Sequence, residues 1–190
     1  MIKLVVVYHS GYGHTEQQAK AVAEGARAEE GVQVEVMKIS PEGDLSDDQW
    51  QALGQAKAII FGSPTYMGSV SWQFKKFADA SSKPWFGEQW KDKLAAGFTN
   101  SASMNGDKLS TLHYLFTLAM QHGMLWVGLG LLPANRQSSG RNDPNWLGSF
   151  CGAMAQSPSD VGPDEGPLPG DLATAKLLGA RVAQQAKRLG

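Results

Sequence analysis

The residues with the clearest chemical purpose are Ser10-Gly11-Tyr12-Gly13-His14-Thr15, set between the apolar run Leu4-Val5-Val6-Val7-Tyr8 and a helical pattern. A helix N-terminus offers unpaired N–H groups and partial positive charge, two glycines let the backbone curl, and the hydroxyls of Ser10 and Thr15 donate to anionic oxygens. That is the chemistry of a phosphate cradle. No Lys stands where a Walker A loop needs one, and no third glycine follows Gly11 and Gly13 at the dinucleotide spacing, which weakens triphosphate and dinucleotide readings alike. Two more loops follow apolar runs. Gly62-Ser63-Pro64-Thr65-Tyr66-Met67-Gly68 puts Tyr66 and Met67 between glycines, where apolar side chains are costly unless something flat covers them. Thr99 and the segment Asn100-Ser101-Ala102-Ser103-Met104-Asn105-Gly106 are mostly small and polar, suited to hydrogen-bonding the edge of a planar ring. One loop for phosphate and two for a ring describe a mononucleotide site. No Ser-His-Asp or paired-carboxylate constellation competes with it.

Such loops must be held by a scaffold, and the pattern of elements supplies one. Short runs rich in β-branched residues at Leu4–Tyr8 and Ala56–Phe61 suit strands buried on both faces of a parallel sheet. Val32–Met37 alternates as a strand, Leu94–Phe98 reads as the fourth and Met124–Val127 as the fifth. Helical spacing covers His14 to Glu29, a short stretch in Ser46–Leu53, Val70–Ala80, Lys108–Gln121 and Leu172–Leu189, the last with Asp171 expected as N-cap. Alternation of this kind predicts a parallel sheet with right-handed crossovers and ligands at the C-terminal strand ends. The segment 128–170 holds much Pro and Gly without a period; at that length it is expected to be an ordered surface that completes a site or a subunit interface.

Composition bounds the rest. The chain has 190 residues, 42% hydrophobic and 18% charged, which argues for one domain over 1–190. A net charge of −1 provides no field to attract nucleic acid or an anionic membrane. The lone Cys151 excludes an internal disulfide and fits a reducing, cytoplasmic setting; no thiolate metal site is expected. The apolar start at Met1–Val7 is too short for a signal peptide, and no stretch reaches the ~18 to 20 apolar residues of a membrane span.

The segments Tyr8–Thr15, Ile59–Gly68 and His122-Gly123-Met124, in that order, resemble the WrbA family of flavodoxin-like NAD(P)H:quinone oxidoreductases, and the likeness covers most of the chain. The resemblance implies an α/β flavodoxin-like three-layer sandwich, with a five-stranded parallel sheet of order 2-1-3-4-5 and helices on both faces. It implies FMN, with its phosphate held by Ser10, Gly11, Tyr12, Gly13, His14 and Thr15 and its ring contacted by Pro64, Thr65, Tyr66, Met67 and Gly68 and by Asn100, Ser101, Ala102, Ser103, Met104 and Asn105. NADH or NADPH would supply electrons near Tyr12, and a quinone would accept them against Trp85. His122 would sit at the ring, and His122 or Tyr66 would hydrogen-bond a quinone oxygen as the catalytic residues. The family assembles as tetramers, so a homodimer or homotetramer is expected. The chain departs from the family in its glycine-poor loop 100–105, in Tyr66 and Met67 where Arg and Phe are usual, and in a shorter segment after strand two. The alternative is a flavodoxin-type one-electron carrier, against which the weak net charge argues.

Overall fold

In the computed structural model, which describes residues 1–189, the elements run β1 (Ile2–Tyr8), α1 (His14–Arg27), β2 (Val32–Lys38), α2 (Asp47–Gln55), β3 (Ala58–Tyr66), β4 (Ser69–Val70), α3 (Trp72–Ala80), α4 (Ser82–Phe86), β5 (Leu94–Ser101), α5 (Lys108–Gln121), β6 (Leu125–Trp126), β7 (Ala153–Gln156) and α6 (Pro169–Arg188). The main path of the sheet is β2-β1-β3-β5-β6, all parallel. The five-stranded expectation needs two corrections. The hairpin strand β4 pairs antiparallel with β3, and the fifth position is split: β6 pairs with Leu94 and Ala95 at the start of β5, whereas β7 pairs with Phe98–Ser101 at its end. The reason lies in β5, which runs eight residues to Ser101 and offers more edge than the short apolar run after Met124 can pair. Residues 127–152 leave the sheet between the two halves.

Alternation along β1 and β3 sends Leu4, Val6, Tyr8 and Ile60 to one face and Val5, Val7, Ile59 and Phe61 to the other. The first face packs on α1 and α6 through Val22, Ala26, Leu178 and Val182. Glycines set that approach: a Cβ on Gly25 would lie 1.8 Å from the Lys176 carbonyl, and one on Gly179 1.9 Å from that of Val22. The second face packs on α2, α3 and α5 through Leu53, Phe74, Phe77, Leu112, Leu115 and Trp90. Helix starts follow local chemistry. Ser46 and Gln49 form a reciprocal capping box on α2, and the Ser71 hydroxyl accepts from the Phe74 amide, so α3 begins at Trp72 rather than Val70. Asp171 does not cap α6; the N-cap is Leu168, and the Asp171 carboxylate accepts from Arg141 and from the Gln156 amide instead. Among the described residues no helix is long and apolar enough to cross a membrane, and no group of three or more His, Cys, Asp or Glu could hold a metal.

Candidate functional site

The C-terminal ends of β1, β3 and β5 open into a cleft of about 620 Å³ lined by Ser10, Tyr12, His14, Thr15, Pro64, Thr65, Tyr66, Asn100, Ser101 and Ala102. The volume falls within the range of small-molecule sites. All three predicted loops therefore meet. Its floor is the start of α1. Gly13, the N-cap, holds φ at +91°, a left-handed conformation that favours glycine. The Ser10 hydroxyl accepts from the amides of Gly13 (3.1 Å) and Glu16 (3.2 Å), which shapes the turn and leaves its own hydrogen free to donate. Among the described residues the amides of Tyr12, His14 and Thr15 have no protein acceptor. Unfilled donors at a helix N-terminus, beside a hydroxyl, fit a phosphate group.

The walls come from β3 and β5. The Thr65 hydroxyl shares hydrogen bonds of 2.8 Å with those of Thr99 and Thr111, which ties β3, β5 and α5 beneath the cleft. The Tyr66 ring stands edge-on to that of Tyr12, centroids 6.2 Å apart, and its hydroxyl lies over Gly11, where an added Cβ would approach it to 2.7 Å. Burial, reinforced by Tyr12 and opposed by the Gly11 N–H, raises the Tyr66 phenol, so it stays a hydrogen-bond donor at neutral pH. The mouth is open, with Tyr12 77% exposed.

The far wall is a surface whose role, but not whose residues, the sequence suggested. Ser157, Pro158, Ser159 and Val161, just after β7, complete the lining. Ser157 donates through its hydroxyl to Asn100 Oδ1 (3.0 Å) and through its amide to the Ser101 carbonyl (3.1 Å), while His14 Nε2 is 3.1 Å from the Val161 carbonyl. Behind the β5 loop sits a polar buttress that sequence reasoning missed. Lys108 Nζ donates to Ser101 Oγ (2.8 Å) and to the Ser103 carbonyl (2.6 Å), and Gln156 Nε2 donates to the Ala102 carbonyl (3.1 Å). Asp171, buried at the start of α6, holds Arg141 in a two-pronged ion pair and the Gln156 amide. A lysine at a helix start carries no signal in sequence that it is buried; only the joining of four distant segments reveals it.

The predicted residues do not all converge. Gly11 and Gly13 belong to the cradle. Met67 and Gly68 form the exposed tip of the β3–β4 hairpin, and Met104 and Asn105 face a separate apolar groove with Leu109, Leu147, Phe150, Cys151 and Met154. His122 and Trp85 lie away from the cleft of their own chain. His122 is the C-cap of α5, whose 14 residues at 1.5 Å rise put it about 20 Å from the cleft end of that helix. It is buried with Nε2 2.8 Å from the Ser81 hydroxyl and its ring 4.2 Å from that of Trp90. Trp85 lies at the same end and donates its indole N–H to the Gln121 carbonyl (2.8 Å). Neither reaches the cleft of its own chain.

Comparison with known proteins agrees with this geometry. Residues 2–137 match the family model described as NADPH-dependent FMN reductase. The chain is 55% identical over 190 residues to "Flavodoxin FldP" of Pseudomonas aeruginosa, covering 100% of this chain and 99% of the other. It is 34% identical to an "NAD(P)H dehydrogenase (quinone)" of Geotalea uraniireducens, with 99% of both chains covered. Among solved structures it is similar to a flavodoxin, WrbA-like protein from Agrobacterium tumefaciens, with a TM-score of 0.80, 53% identity and 99% of both chains covered. The chain belongs to the NADPH-dependent FMN reductase family, in its WrbA-type flavodoxin-like branch, and FMN is its cofactor.

Proposed function

We propose that this protein transfers two electrons from NAD(P)H, by way of FMN, to quinones. The observation that carries the reading is the cleft itself: an open mouth edged by the Tyr12 and Tyr66 rings, with a phosphate-shaped floor and no carboxylate in its lining. FMN, when bound, supplies the hydride-accepting chemistry, and the protein supplies position and electrostatics. Ser10 and the amides of Tyr12, His14 and Thr15 hold phosphate. Pro64–Tyr66 and Asn100–Ala102 flank the ring, and the open Tyr12 face gives a nicotinamide or quinone ring a surface to stack on. The Tyr66 hydroxyl, in the cleft lining, donates a hydrogen bond to a quinone oxygen. The name of the Geotalea relative supports quinones as the acceptor.

The second reading, a one-electron carrier, has support of its own: the 55% identical relative is named a flavodoxin, and Asp160, Asp164 and Glu165 cluster in the segment that walls the cleft. Anaerobic titration separates the two. NADPH or NADH should bleach the yellow protein, and benzoquinone should restore the colour. A flavin that stays oxidised in excess of both nucleotides would overturn the reductase reading in favour of the carrier.

Assembly as a homodimer or homotetramer belongs to the same proposal. Residues 109–135 contain no Asp, Glu, Lys or Arg, and Leu109, Phe116 and Met120 form an exposed stripe along α5 continued by Leu125. Depletion of charge around such a stripe is the mark of an interface core. A second copy is also the one route by which Trp85 and His122 could approach a flavin.

A further inference from the structure

The loop that walls the ring side of the cleft lacks the glycines that the resemblance leads one to expect, and a buried side chain holds its backbone. Lys108 does so from below: its side chain is fully buried, and its ammonium spans the loop from Ser101 Oγ to the Ser103 carbonyl. The placement is costly. Burial penalises a cation, and the first turn of a helix, where α5 begins, repels one. Two charged groups act on it, Asp171 from α6, which favours the ammonium, and Arg141 from the excursion before β7, which opposes it; Asp107 precedes it in the chain as the N-cap of α5. The Asp171 carboxylate is already spent on Arg141 and the Gln156 amide. A positive charge thus stands one residue behind Ser101, itself part of the cleft lining, without a carboxylate of its own.

We propose that Lys108 is the positioning residue of this loop, and that its ammonium couples reduction of FMN to uptake of a proton at Nζ in alkaline solution. The inference rests on FMN occupying the cleft and on no particular electron acceptor. Above neutral pH, reduction of a flavin takes up two electrons and one proton and leaves one negative charge. That charge raises the proton affinity of a nearby amine. Burial holds the oxidised protein's Lys108 down to about 8, so above that pH much of it is neutral and takes a further proton from solvent as the cofactor is reduced.

Two measurements test it. In a potentiometric titration of the holoprotein with dithionite, from about pH 6.5 to 10, the wild-type midpoint should fall more steeply above about pH 8, by one additional proton per two electrons, with no such break in Lys108→Met or Lys108→Gln. In fluorescence titrations of apoprotein, Lys108→Met should bind FMN about tenfold more weakly, and Lys108→Gln, which keeps one donor, should recover part of the loss. A wild-type slope that stays constant to pH 10 overturns the coupling, and this outcome needs no variant to fold. FMN binding by Lys108→Met within twofold of wild type overturns the positioning role. Neither result depends on whether quinones are reduced.

Discussion

Helix α5 buries an ionisable side chain at each end, Lys108 in its first turn and His122 at its C-cap, and the two ends are built to different purposes. Burial disfavours the charge on both. Lys108 falls from 10.5 to about 8, with Asp171 and Arg141 pulling against each other beside the larger effect of desolvation, and His122 falls by as much, from 6.5 to about 4, by burial alone. Lys108 holds Ser101 and Ser103 of the β5 loop, whose Asn100, Ser101 and Ala102 line the cleft. Around His122 side chains from neighbouring elements are paired, the Ser81 hydroxyl with Nε2 and the Trp85 indole with the Gln121 carbonyl, and of its neighbours Ser81, Trp85 and Trp90 only the Trp90 indole N–H is left without a partner among the described residues. One end is open to a ligand and the other closed on itself. Two groups shifted equally by burial thus differ in what their partners do, and a perturbed titratable group is a poor guide to chemistry until it is known whether those partners line a cleft.

The largest effect should come from the open end. Gly13→Val forces a β-branched residue to φ +91° and drives its Cβ into Pro163, which would lie 2.9 Å away. FMN affinity should fall at least about 100-fold, since both the turn and the wall segment at Pro163 must move; binding within tenfold of wild type would show that the cradle is not the phosphate site.

The closed end should answer in stability rather than affinity. His122 is held neutral in the fold, so the unfolded chain binds more protons between its ordinary 6.5 and about 4. The contribution is complete above pH 6.5 and is lost as the pH falls toward 4. At 1.36 kcal/mol per unit, the loss amounts to about 3 kcal/mol. Urea unfolding at a series of pH values should show that decline in the wild type and a flatter profile in His122→Gln. If His122→Gln also loses FMN, the helix end of a second copy must reach the cleft, and the contrast between the ends fails.

The difference between the ends also explains what the sequence could reveal. Ser10–Thr15 was legible because its chemistry is local: hydroxyls, glycines and a helix start within six residues. The strands were legible from apolar runs, including β1 and β3 that carry the cradle and one ring loop. The split edge was not, because Leu125-Trp126 and Ala153–Gln156 become one sheet position only through β5, which pairs with both. The buttress was hidden for the same reason: Lys108, Arg141, Gln156 and Asp171 are scattered over more than sixty residues, and nothing in their spacing foretells a contact. His122 is the opposite case. A motif transferred from the family is silent on which chain the residue faces.

The smallest effect tests whether the hairpin tip that follows Tyr66 is strained for a purpose. Met67 and Gly68 form the two-residue turn between β3 and β4, with φ of 48° and 78°. Turns with both central residues in this region favour Asn-Gly, since Asn tolerates the left-handed conformation better than an unbranched apolar side chain. The Met67 side chain is fully exposed, so it has no packing to lose. Met67→Asn should therefore stabilise the protein by about 0.5 kcal/mol, a rise in Tm of about 1 to 2 °C in a chain of this length. An increase in Tm with unchanged quinone turnover would mean that the methionine is a local misfit of no consequence. An increase in Tm with slower turnover would mean that the chain accepts strain at the hairpin tip because the exposed methionine, although it does not line the cleft, takes part in the reaction.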